Sequence, residues 1–124
     1  MENLNIIKGL YAITPEEKDS FVLSSQVESC IKGGARLVQY RSKKLSQIEK
    51  NKQAREIKKV CDYYKVPLII NDDIELCRIL DADGVHLGED DASLEEANLV
   101  LGPSKIIGIS CYNSIDRVQS AVDK

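Results

Sequence analysis

The sequence lacks the residues that several common chemistries need. It has no CxxC pair, and its one histidine, His86, has no second ligand at metal-binding spacing, so no zinc pattern is present. It has no GxSxG elbow, which removes the serine nucleophile of that fold type. No apolar run approaches the roughly 20 residues that a bilayer span requires. The N-terminal MENLNIIKGL does not read as a signal peptide. A net charge of −3 gives no electrostatic case for nucleic acid or an anionic membrane. An anionic ligand would therefore need a local basic site or a metal.

What is present is ordinary for a soluble domain. The 124 residues are 43% hydrophobic and 30% charged, enough for one domain, 1–124, with a real core. No linker or low-complexity tract divides it. Of the four cysteines, Cys30, Cys61 and Cys77 fall on apolar helix faces. They read as small buried hydrophobes in a reducing, cytoplasmic setting rather than as disulfides. Cys111 is a weak nucleophile candidate.

Strand and helix patterns alternate along the chain. Gly9 to Ile13 reads as a first strand, followed by a polar loop or capped turn at Thr14-Pro15-Glu16-Glu17. Leu23, Val27, Cys30 and Ile31 have the spacing of an amphipathic helix, ended by Gly33-Gly34. Arg36 to Gln39 is the second strand. Ser46 and Glu49 form a capping box ahead of a long helix with Ile48, Ala54, Ile57, Val60, Cys61 and Tyr64 inward. The apolar run from Pro67 to Ile70 suits a strand buried on both faces. A short helix (Ile74, Leu76, Cys77, Ile79, Leu80) and a strand at Val85-His86-Leu87 follow. Ser93 and Glu96 cap a further helix that Gly102-Pro103 stops, Ile106 to Ile109 is the fifth strand, and a last helix starts near Asn113. Five β-α units in succession predict right-handed crossovers and a parallel sheet. A (β/α)8 barrel needs eight units and typically about 250 residues, so the chain reads as part of a barrel or as an open sheet.

Three polar clusters fall at the predicted C-terminal strand ends, where parallel α/β folds place their ligands. Gln39, Arg41 and Lys43 alternate after strand two, so in an extended segment all three share a side. Two cations and an amide suit a phosphate or diphosphate; a solvated loop is the plainer reading. Asn71 and Asp72 end strand three, and Asp91 lies just beyond strand four. Two carboxylates on neighbouring strand ends suit Mg²⁺, although Asp73 and Asp91 also sit where helix caps are common. His86 faces opposite to Val85 and Leu87 and reads as a buried, hydrogen-bonded structural residue more than a general base. Ser110, at the end of strand five, reads as a ligand hydrogen bond.

Taken together, these segments resemble the thiamine-phosphate synthase (thiamine-phosphate pyrophosphorylase) family. GLYAIT resembles its first strand and GGARLVQYRSK its Q-x-R-x-K segment. VPLIINDD and ADGVHLGEDD resemble its two most recognisable signatures, and IIGISCYNS its fifth strand. The resemblance implies a TIM-barrel transferase of thiamine biosynthesis. It joins a hydroxymethylpyrimidine diphosphate to a thiazole phosphate and releases pyrophosphate, with Mg²⁺ as cofactor. It implies Gln39, Arg41, Lys43, Asn71 and Ser110 for the pyrimidine diphosphate, and Asp72 and Asp91 for Mg²⁺. Glu89 departs from the family's usual Gln and Tyr112 from its frequent His.

The family's thiazole-phosphate loop and glycine-rich turns have no counterpart in this sequence. The expectation is an N-terminal portion of about five units with little synthase activity alone, and with open sheet edges that favour self-association. The alternative is a non-catalytic ligand-binding or regulatory barrel, like the thiazole-tautomerase relatives.

Overall fold

The computed structural model describes residues 10–88 and 94–109. Five strands, β1 (Leu10–Ile13), β2 (Ala35–Tyr40), β3 (Leu68–Asn71), β4 (Gly84–Leu87) and β5 (Ile106–Ile109), alternate with four helices. The helices are α1 (Ser20–Lys32), α2 (Gln47–Tyr63), α3 (Ile74–Leu80) and α4 (Leu94–Leu101). The strands form one parallel sheet in the order β1-β2-β3-β4-β5. The helix expected from Asn113 lies outside the described residues.

The first three helices start where the sequence supplies an acceptor for free backbone N–H groups. Asp19 accepts from Phe21 and Val22 at the head of α1. Ser46 accepts from the Glu49 N–H at the head of α2, and its hydroxyl also donates to the Glu49 carboxylate at 2.9 Å. Asp73 accepts from Leu76 at the head of α3. After α1 the chain turns through Gly33 into Gly34, whose φ of 114° is open to glycine and strained for other residues.

Strand alternation divides the sheet into two faces. One carries Val38, Tyr40, Leu68, Ile70, Val85 and Leu87, packed with Leu23 and Val27 of α1, Ala54, Ile57 and Cys61 of α2, Leu76, Cys77 and Leu80 of α3, and Ala97 of α4. All four helices thus contribute to one core cluster. The opposite face carries Tyr11 and Ile13, Leu37 and Gln39, Ile69 and Asn71, Gly84 and His86, and Ile106 and Gly108, paired across the strands in register.

Some inward assignments need correction. Ile48 is 69% exposed. It lies off the stripe Gln53, Ala54, Ile57 and Cys61 that α2 buries. Gln53 is buried because its polar atoms are satisfied: Tyr40 Oη donates to its Oε1 at 2.7 Å, and its Nε2 donates to the Glu17 carbonyl at 2.5 Å. Cys30 is exposed, whereas Cys61 and Cys77 are buried free thiols. The buried stripe of α1 runs through Leu23 and Val27 toward the partly buried Ile31, one position past Cys30. Tyr64 caps α2 and donates from its hydroxyl to Glu28 at 2.7 Å.

Candidate active site

The C-terminal strand ends bring loops that are distant in sequence into contact. The segment after β2 is stitched to the segment after β1. The Arg41 N–H donates to Thr14 Oγ1 at 2.9 Å, the Thr14 N–H donates to the Gln39 carbonyl at 2.9 Å, and Glu16 accepts from the Lys43 N–H and the Ser42 hydroxyl. Beneath them Tyr40 is fully buried, and burial pushes its hydroxyl up to about 12. It stays a neutral donor to Gln53.

Gln39 is only 3% exposed and points from the face opposite the helices. Its Nε2 donates to Tyr11 Oη at 2.6 Å. Burial raises the Tyr11 pKa. The Arg41 side chain is exposed and makes no hydrogen bond or ion pair among the described residues. Lys43 reaches toward the end of β3, where its ammonium meets the Asp72 carboxylate. The ends of β2 and β3 are therefore joined through a cation and an anion of the predicted site.

Asp72 holds φ at 66° while its N–H donates to the His86 carbonyl at 2.8 Å. Aspartate is among the few side chains that tolerate this left-handed region, and residues held there gather at functional sites. Its neighbour Asp73 has a different task. Burial would raise the Asp73 pKa, but the Leu76 N–H, Gln47 and Lys50 outweigh it and hold the carboxyl below its ordinary value. Lys50 stands 3.3 Å away. Asp73 is thus a helix cap, as its sequence context suggests.

Asn71 and His86 are paired across β3 and β4 on the same face. His86 is half-buried, less enclosed than a core histidine. A β-carbon on Gly108 of β5 would stand 2.8 Å from His86 Nδ1, so glycine there lets the imidazole lie against the neighbouring strand.

Of the predicted residues, the structure joins Lys43 with Asp72 and places Gln39 and Asn71 on one face of adjacent strands. Asp91, Ser110, Cys111, Glu89 and Tyr112 lie outside the described residues. Among the described residues no group of three or more His, Cys, Asp or Glu could hold a metal ion. At the end of β3, Asp72 offers a partly exposed carboxylate that is not spent on a helix cap, whereas that of Asp73 is. A single hard oxygen donor of this kind fits Mg²⁺, which commonly takes one or two carboxylates and completes its shell with water and phosphate oxygens. Sequence reasoning missed Thr14, Glu16 and Gln53. Their only signal was position just beyond a strand end or, for Gln53, in register with the buried stripe of α2.

The class of protein is an α/β chain with a parallel sheet whose polar groups collect at the C-terminal strand ends. A family model described as thiamine monophosphate synthase matches residues 10–124, so the chain belongs to that family. The thiamine-phosphate synthase of Methylobacillus flagellatus is 48% identical over 115 residues, 93% of this chain and 55% of that protein. That of Nitrosospira multiformis is 51% identical over 110 residues, 89% of this chain and 47% of that protein. Among solved structures, the thiamine phosphate pyrophosphorylase from Pyrococcus furiosus superposes with a TM-score of 0.83 at 27% identity, over 98% of this chain and 58% of that one. The chain spans about half the length of the curated relatives it matches. No described helix is long and apolar enough to cross a membrane.

Proposed function

We propose that the chain carries the first-substrate half of a thiamine-phosphate synthase site, on a sheet that forms one wall of a (β/α)8 barrel. In this reading a hydroxymethylpyrimidine diphosphate binds across the ends of β2 and β3. Gln39 and Asn71 hold the pyrimidine side. Arg41 and Lys43 face the diphosphate, and Ser110 adds a hydrogen bond. The observation that carries it is the Lys43–Asp72 contact, which joins the Q-x-R-x-K segment to the N-D-D segment in a chain similar to named synthases.

The chemistry follows from charge. The C–O bond to the diphosphate breaks, its electron pair leaves with the diphosphate, and a new C–N bond forms to the thiazole nitrogen. The electron-rich aminopyrimidine supports a carbocation-like transition state, so negative charge grows on the leaving group. Arg41 and Lys43 stabilise that charge where it develops. Asp72 and Asp91 would hold Mg²⁺, which neutralises diphosphate charge when bound. No protein nucleophile is required. The identity to named synthases supports this transferase reading over a non-catalytic module. The same reading places the protein in the cytoplasm, with self-association through the edges of the sheet.

Calorimetric titration of hydroxymethylpyrimidine diphosphate, with and without Mg²⁺, tests it. Binding that needs Mg²⁺ and falls about 100-fold in Asp72→Asn is the expected result. Binding that ignores both the metal and Asp72 overturns the assignment.

A further inference from the structure

We infer that Glu16 is a positioning residue for the diphosphate-facing cations, an inference that rests on the function proposed above. Glu16 belongs to the segment between β1 and α1, which by sequence reads as a polar loop or a capped turn. Its two carboxylate oxygens accept from two consecutive residues of the loop after β2, the Ser42 hydroxyl at 3.3 Å and the Lys43 N–H. Thr14, two residues earlier, holds the Arg41 N–H. Glu17, one residue later, has its carbonyl held by the Gln53 amide that also receives the Tyr40 hydroxyl. Residues 14–17 thus run alongside residues 40–43 and hold them at successive points.

This arrangement separates geometry from charge. A carboxylate beside Arg41 and Lys43 lowers the local positive potential and so opposes binding of an anion. Its benefit to an anion site is therefore geometric. It fixes the backbone of residues 41–43 so that two flexible cationic side chains start from a set position, which reduces the ordering cost of binding. A neutral side chain of the same shape keeps that benefit and removes the repulsion.

Two measurements on the full chain test this. The first is pyrophosphate binding with Mg²⁺, by calorimetry. Glu16→Ala is expected to weaken it about five- to tenfold, the loss of one or two hydrogen bonds, while Glu16→Gln binds as tightly as the parent or more tightly. The second is amide hydrogen exchange at Lys43, expected to speed up in Glu16→Ala and to be restored in Glu16→Gln. Unchanged exchange at Lys43 in Glu16→Ala overturns the inference whatever the binding result. Tighter binding in both variants overturns it too, since Glu16 would then act by charge alone. Absence of pyrophosphate binding in the parent, with Lys43 exchange still dependent on Glu16, supports the positioning role and overturns the proposed function instead.

Discussion

The two ends of the sheet use aspartate in opposite ways. At the N-terminal end, Asp83 works for the backbone. Its carboxylate accepts from the Leu68 N–H at 2.8 Å, its own N–H donates to the Leu68 carbonyl at 2.9 Å, and its carbonyl accepts from the Ile106 N–H at 2.9 Å. One residue ties the starts of β3, β4 and β5. At the C-terminal end, Asp72 takes a left-handed conformation and turns its carboxylate to the side chain of Lys43. The first arrangement satisfies main-chain groups and leaves a ligand little to compete for. The second pairs two side chains that a metal and an anion can each claim. Parallel α/β folds divide stability and chemistry between their ends in this manner.

The contrast can be broken or sharpened by substitution. The largest effect is expected beside Asp83. A β-carbon at Gly84 would lie 2.1 Å from the Ile106 carbonyl oxygen, a backbone atom that cannot move without parting β4 from β5. Gly84→Ala should lower stability by about 3 kcal/mol or more, read by denaturant unfolding; a loss under about 1 kcal/mol would mean the strands part easily and the N-terminal end is not the rigid one.

Next is Asp72→Asn, which keeps a side chain suited to positive φ and removes the charge. Mg²⁺-dependent ligand binding should fall about 100-fold, roughly 2.7 kcal/mol, with the unfolding midpoint nearly unchanged. A large stability loss instead would make Asp72 structural, like Asp83.

Asp83→Ala should show the reverse pattern. It orphans the Leu68 N–H, which should cost about 1–3 kcal/mol of stability and leave ligand affinity intact in the folded fraction.

The smallest effect concerns Asp73. Its carboxyl is held below the ordinary value of 3.8 in the folded chain, so its contribution is fully present above that value and is lost as pH falls through the lower folded value. Asp73→Ala should destabilise by about 1 kcal/mol at neutral pH. The difference from the parent should vanish in strong acid, when thermal unfolding is followed against pH.

The sheet was legible because its signals are local. Apolar runs at Leu68–Ile70 and Ile106–Ile109, caps at Ser46 and Asp73, and glycine at 34 each constrain a few neighbouring residues. The strand-end positions were legible for the same reason, since Gln39 and Asn71 sit in the last residues of their strands and Arg41, Lys43 and Asp72 follow within three residues. What eluded the sequence is pairing across distance. Glu16 with Lys43 and Tyr40 with Gln53 depend on two loops or a strand and a helix meeting in space, and no period encodes that. The positive φ of Asp72 likewise follows from the hydrogen bond to the His86 carbonyl on the next strand. Ile48 and Cys30 misled because apolar character outweighed phase: each lies beside, not on, the buried stripe of its helix.

The missing side chain at Gly108 also acts as a key. The His86 ring occupies the space that a β-carbon there would fill. A slip of β5 by two residues would keep every side chain on its proper face. It would also bring Ile106 beneath the imidazole, where there is room only for hydrogen. Hydrophobic alternation cannot tell those two alignments apart; the ring and the glycine can, so one histidine fixes the alignment of two strands.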